Sequence, residues 1–104
     1  MANRIMHAKD QLSKDRLSPS QAEEVAIAVF GRITADEERL GRFFDLTGLR
    51  PDGMREAAAS PGFFENVLDH VVSYEPLLIS IAGELGMRPE RIVQAHACLA
   101  PRFE

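Results

Sequence analysis

Three histidines (His7, His70 and His96), one cysteine (Cys98) and sixteen carboxylates are the side chains here that could bind a metal or act as nucleophile or base. Their spacing argues against most of that chemistry. His96 and Cys98 stand two apart in a segment of helical periodicity, so they project from different faces and cannot share a metal. His70 follows Asp69 and falls with Asn66 on the polar side of its segment, where it reads as a solvated surface histidine. A nucleophilic thiol needs a base beside it. The sequence points to none for Cys98, which is expected to be a small helix-packing residue. The run Asp36-Glu37-Glu38 resembles an acid–base or metal cluster. It lies where a helix begins, however, and negative charge is favoured there by the macrodipole. Arg39 and Arg42 follow at pairing distance, so the run is expected to be a solvated cap. No catalytic, cofactor-binding or metal-ligating set emerges, and the expectation is a protein that is not an enzyme and takes no cofactor.

The elements that would position these residues are all helical. Ser18-Pro19-Ser20-Gln21 offers a capping serine, a proline at the first helical position and a glutamine to complete a capping box. Ala22, Val25, Ala26, Val29, Phe30 and Ile33 follow as one apolar stripe. Thr34-Ala35-Asp36-Glu37 reads as a second capping box, ahead of Leu40, Phe43, Phe44 and Thr47, with Gly48 as the stop. Pro51 starts a short third helix through Met54, Ala57 and Ala58. Ser60-Pro61 predicts a fourth, carrying the densest stripe: Phe63, Phe64, Val67, Leu68, Val71 and Val72. Pro76 starts a fifth with Leu77, Leu78, Ile81, Ala82 and Leu85 inward, closed by Gly86. Pro89 starts a sixth with Ile92, Val93, His96 and Leu99 on one face. No segment alternates with period two between hairpin turns. The fold class is all-α, a compact bundle of about six short helices.

The length of 104 residues suits one domain with one core. A single cysteine excludes an intramolecular disulfide framework and any multi-cysteine zinc site. The net charge of −4 is uneven along the chain. Residues 1–17 hold four bases against two acids, and residues 18–104 hold eight against fourteen. Residues 1–17 are therefore read as a basic leader, disordered or weakly helical, and residues 18–104 as a single helical domain. No apolar run approaches the ~20 residues of a membrane span, and no signal-peptide core is apparent. The expectation is a cytoplasmic protein without a membrane partner.

One phrase occurs twice: Gly48-Leu49-Arg50-Pro51-Asp52 and Gly86-Met87-Arg88-Pro89-Glu90. With the two serine–proline pairs upstream, it suggests two pseudo-repeated three-helix units. The chain also resembles, from Ser18 to Pro101, a small bacterial family catalogued as domain of unknown function 3572. The resemblance rests on Ala35-Asp36-Glu37-Glu38-Arg39-Leu40-Gly41-Arg42-Phe43, on Leu46-Thr47-Gly48-Leu49, and on Val67-Leu68-Asp69. It implies a helical fold and brings no activity or site residues with it.

Two functions of different class remain. The leading one is a non-enzymatic interaction module that binds a protein partner or self-associates as a homodimer. Its candidate contacts are the paired aromatics Phe43, Phe44, Phe63 and Phe64, since neighbours on a helix cannot both face one core. The alternative is a helix-turn-helix DNA reader over residues 76–100. Ala82, Gly86, Met87 and Ile92 keep that motif's spacing, and Arg88, Arg91 and Gln94 could reach base edges. Glu90 at the helix start and the acidic balance disfavour DNA.

Overall fold

The computed structural model describes residues 17–101, and these form six α-helices and no strand. Helix α1 spans Pro19–Thr34 and opens with the predicted reciprocal cap. The Gln21 amide donates to Ser18 Oγ at 3.1 Å, and the Ser18 amide donates to Gln21 Oε1 at 2.9 Å. Its buried face, Ala22, Val25, Ala26, Val29 and Ile33, is the predicted stripe except for Phe30, which is half-buried against the core. Helix α2 spans Glu37–Thr47, and here the expected Thr34 cap is replaced. Thr34 is the last residue of α1 and spends its hydroxyl on the Gly31 carbonyl. Asp36 caps instead, accepting from the Arg39 amide at 3.1 Å. A charged carboxylate at that position gains from the macrodipole as well as from the hydrogen bond.

A 3₁₀ turn over Pro51–Gly53 leads into the short α3, Met54–Ala59. Helix α4 spans Phe63–Val72, and Ser60-Pro61 does not cap it. The Ser60 hydroxyl instead donates back to the Glu56 carbonyl and closes α3, while Gly62, with φ +85°, turns the chain into α4. Helices α5, Glu75–Leu85, and α6, Pro89–Leu99, complete the bundle.

Helix α4 sits at the centre and packs against every other helix, while α6 lies most extensively along α1. The core joins Val29 and Ile33 of α1, Phe43 of α2, Val67, Leu68 and Val71 of α4, Ile81 of α5 and Ile92 of α6. Leu17, assigned to the leader, also belongs to it, and its carbonyl accepts the Cys98 thiol at 3.2 Å. The remainder of the leader, including His7, lies outside the described residues.

The repeated phrase folds the same way twice. Gly48 and Gly86 end their helices with φ of +77° and +66°, and Arg50 and Arg88 are extended before a helix-starting proline. The packing of α1 on α2 is matched by α4 on α5, and α2 on α4 by α1 on α5. The third helices break the correspondence. Helix α6 wedges against both α1 and α4, whereas α3 is only six residues long and packs mainly on α4.

Candidate functional site

Two polar constellations lie along α4, one toward α2 and one toward α6, because two different helices pack across it, and Asp69 belongs to both. Between α2, the Leu49 loop and the end of α4 lies an open cleft of about 440 Å³. Arg42, Leu46, Leu49, Asn66, His70 and Tyr74 are among its walls. The turn at its lip is fixed by Thr47, whose hydroxyl donates to the Phe43 carbonyl at 2.6 Å and accepts from the Leu49 amide at 3.3 Å. The Arg42 guanidinium lies 4.4 Å from the centre of the Tyr74 ring, a cation–π contact.

His70 departs from the surface histidine expected of it. It is only 8% exposed, and its Nε2 is sealed from solvent without a hydrogen-bond partner. The reason is tertiary. Helix α2 crosses α4 on the side that periodicity assigns to solvent, and the Phe43 ring stands perpendicular to the imidazole at 5.2 Å. Desolvation lowers the His70 pKa, the Arg42 charge lowers it further, and Asp69 opposes both. The imidazole is therefore neutral at physiological pH.

On the other side, α4 and α6 bring Glu65, Asp69 and His96 together. Glu65 and Asp69 are one helical turn apart on α4 and so share a face. His96 Nε2 lies 3.0 Å from Glu65 Oε2 and 3.4 Å from Asp69 Oδ1. Glu65 and His96 are half-buried, while Asp69 is 60% exposed. Sequence reasoning missed this set. The carboxylate pair at i, i+4 was visible, but its partner stands 31 residues from Glu65 and only the docking of α6 supplies it.

A third polar cluster is structural. Glu84 of α5 accepts two bonds from Arg39 of α2, at 2.9 and 2.6 Å, and one from Arg32 of α1 at 2.9 Å. The hydrogen bonds from Arg39 and then Arg32 pull the Glu84 carboxyl down to a pKa of about 2. Arg39 and Arg42 were expected to pair with the Asp36-Glu37-Glu38 run. Instead Arg39 crosses to Glu84 and Arg42 stacks on Tyr74, so that acidic run remains a cap.

The candidate partner contacts Phe43, Phe44, Phe63 and Phe64 do not form an exposed patch. Phe43 and Phe63 are buried, and Phe44 and Phe64 are half-buried against the same core. With Phe30 they make a chain of tilted and edge-on rings whose centres are 5.3–6.2 Å apart. Aromatic rings favour such mutual contacts over exposure, which lets both members of a pair be covered. Among the described residues, the large apolar side chains left exposed are Ile27, Leu46, Tyr74, Ile79 and Val93. The DNA-contact candidates Arg88, Arg91 and Gln94 line one open depression of about 660 Å³ together with Glu90. Arg88 and Arg91 are exposed, Gln94 is half-buried, and Glu90 approaches Arg88 at 3.8 Å.

Residues 19–102 match the family described as Protein of unknown function (DUF3572). The chain belongs to this family. No curated protein and no solved structure matches it. Family and structure together describe a small helical domain, and no helix among the described residues is long and apolar enough to cross a membrane.

Proposed function

We propose that this member of the DUF3572 family is a non-enzymatic interaction module that binds a polypeptide, a second copy included, at the rim of the α2–α4 cleft. One observation carries the reading: Leu46, 62% exposed, and Tyr74, 43% exposed, flank the same cleft as Arg42. Tyrosine and arginine are the residue types most often found as anchors in protein interfaces. Fully burying a leucine is worth about 1.5–3 kcal/mol, and Leu46 still has 62% of its surface to cover, so a partner gains part of that without rearranging the core. The contact residues thus move from the phenylalanines to Leu46, Tyr74 and Arg42. In this reading Cys98 is a packing residue, its thiol donated to the Leu17 carbonyl.

The test is light scattering across a concentration series, with co-purified partners assayed on tagged protein in parallel. Leu46→Asp, at an exposed position, leaves the circular dichroism spectrum unchanged and abolishes self-association or partner retention. Association that survives both Leu46→Asp and Tyr74→Ser places the surface elsewhere.

The DNA reading keeps one supporting observation, the shared depression of Arg88, Arg91 and Gln94. Glu90 in that same depression opposes an approaching phosphate, and the net charge of −4 does so for the whole chain. Retardation of duplex DNA that weakens with salt and with Arg91→Ala would favour this reading over the first.

A further inference from the structure

We infer that Glu65, Asp69 and His96 form a binding site for a first-row divalent transition-metal ion that clamps α4 to α6. The argument begins with one proton. An imidazole, neutral or protonated, carries at most one hydrogen on Nε2, yet two carboxylate oxygens, Glu65 Oε2 at 3.0 Å and Asp69 Oδ1 at 3.4 Å, face that atom. A single N–H satisfies one of them. The second carboxylate then faces a nitrogen with nothing left to donate, beside a like charge. Neither carboxylate has an arginine or lysine partner among the described residues.

A dication resolves all three contacts at once. Metal–ligand bonds of ~2.0–2.1 Å in a tetrahedron place neighbouring donor atoms roughly 3.3 Å apart. Both nitrogen–oxygen separations are already close to that edge. The three donor atoms lie within 4.8 Å of one another, and the exposed Asp69 carboxylate can turn to close the remaining distance. The donors come from rigid elements. Glu65 and Asp69 are separated by one turn of α4, the helix that touches all the others, and His96 sits in the last turn of α6. One imidazole and two carboxylates suit zinc, iron or manganese better than copper(I), which favours sulfur. Three protein ligands leave a fourth position toward solvent on the Asp69 side.

The experiment is zinc titration of the full chain by isothermal calorimetry, with cobalt(II) substitution to read geometry from its visible absorption. The expected result is one ion per chain, and binding weakened roughly tenfold or more by His96→Ala. Asp69→Asn must weaken it too, and because that side chain is largely exposed the variant keeps the fold. Three results would overturn the inference. They are no zinc binding by the wild type, binding unchanged in both variants, and loss with His7→Ala but not with His96→Ala.

Discussion

Replacing His70 with leucine should make this protein more stable. The imidazole is 8% exposed and its Nε2 has no hydrogen-bond partner, so folding strips a polar group of water without replacement. Such a group costs about 1–3 kcal/mol. Leucine is close to histidine in volume, so the substitution opens no large cavity and forces no overpacking. Its cost is the perpendicular contact with Phe43, whose ring centre lies 5.2 Å away, and such pairs contribute about 0.5–1.5 kcal/mol. The balance is a gain of about 1 kcal/mol, which in a domain of this size raises Tm by roughly 4–8 °C. Urea denaturation at pH 7.5, with the imidazole neutral, should show a higher midpoint and an unchanged m-value. His70→Ala, which does leave a cavity, should be destabilised. A loss of more than about 1 kcal/mol in His70→Leu would refute the reasoning, because it would mean that the ring nitrogen makes a hydrogen bond stronger than its desolvation cost. A confirmed gain has a second meaning. A group that costs stability beside an open cleft is what a binding site retains and a purely structural core does not.

Three further outcomes follow from the same geometry. Glu84, held near a pKa of 2 by Arg39 and Arg32 against an ordinary 4.5, contributes stability above about pH 4.5 that is lost as pH falls toward 2; Glu84→Gln should flatten that part of an acid-unfolding curve, and high salt should blunt the difference. Gly41, inside α2 with open space where a Cβ would lie, should gain about 0.5–1 kcal/mol on substitution by alanine, whereas Gly48→Ala, forced into φ +77°, should lose about 1 kcal/mol; thermal melts of the pair should move in opposite directions. Phe43→Ala should cost about 3–5 kcal/mol and lower Tm steeply, as expected of a fully buried ring and not of a partner contact.

The distribution of what the sequence disclosed follows the range of the forces involved. The stripes of α1 and α5, the Ser18 cap and the Gly48 and Gly86 stops arise from residues within a turn or two of one another, and all are present in the fold. Thr34 and Ser60 were misplaced by short shifts, because competing local bonds, to the Gly31 and Glu56 carbonyls, occupied their hydroxyls. The errors that matter for function are nonlocal. A single apolar stripe describes a helix with one covered face, but α4 packs against all five others. Its nominally polar side is therefore partly interior. That one circumstance buried His70, turned Glu65 and Asp69 toward His96, and let the phenylalanine pairs find cover on both sides.

The same circumstance explains why both polar constellations belong to α4. A ten-residue helix surrounded by neighbours must place its polar residues somewhere, and the gaps between neighbours are where they go. One gap, toward α2, became the cleft with Arg42, Leu46 and Tyr74 on its rim, and the other, toward α6, became the Glu65–Asp69–His96 set. They share Asp69, which faces His96 and also lines the cleft beside His70. Fixing Asp69 with a metal ion would fix the register of α4 beneath His70, and a partner seated on the rim would press on the same turn of helix. Binding at the two sites is then thermodynamically linked, and linkage requires each to change the other's affinity by the same factor. Measuring partner or self-affinity with and without zinc tests that coupling. Equal affinities in zinc and in chelator would show that the two sides of α4 act independently.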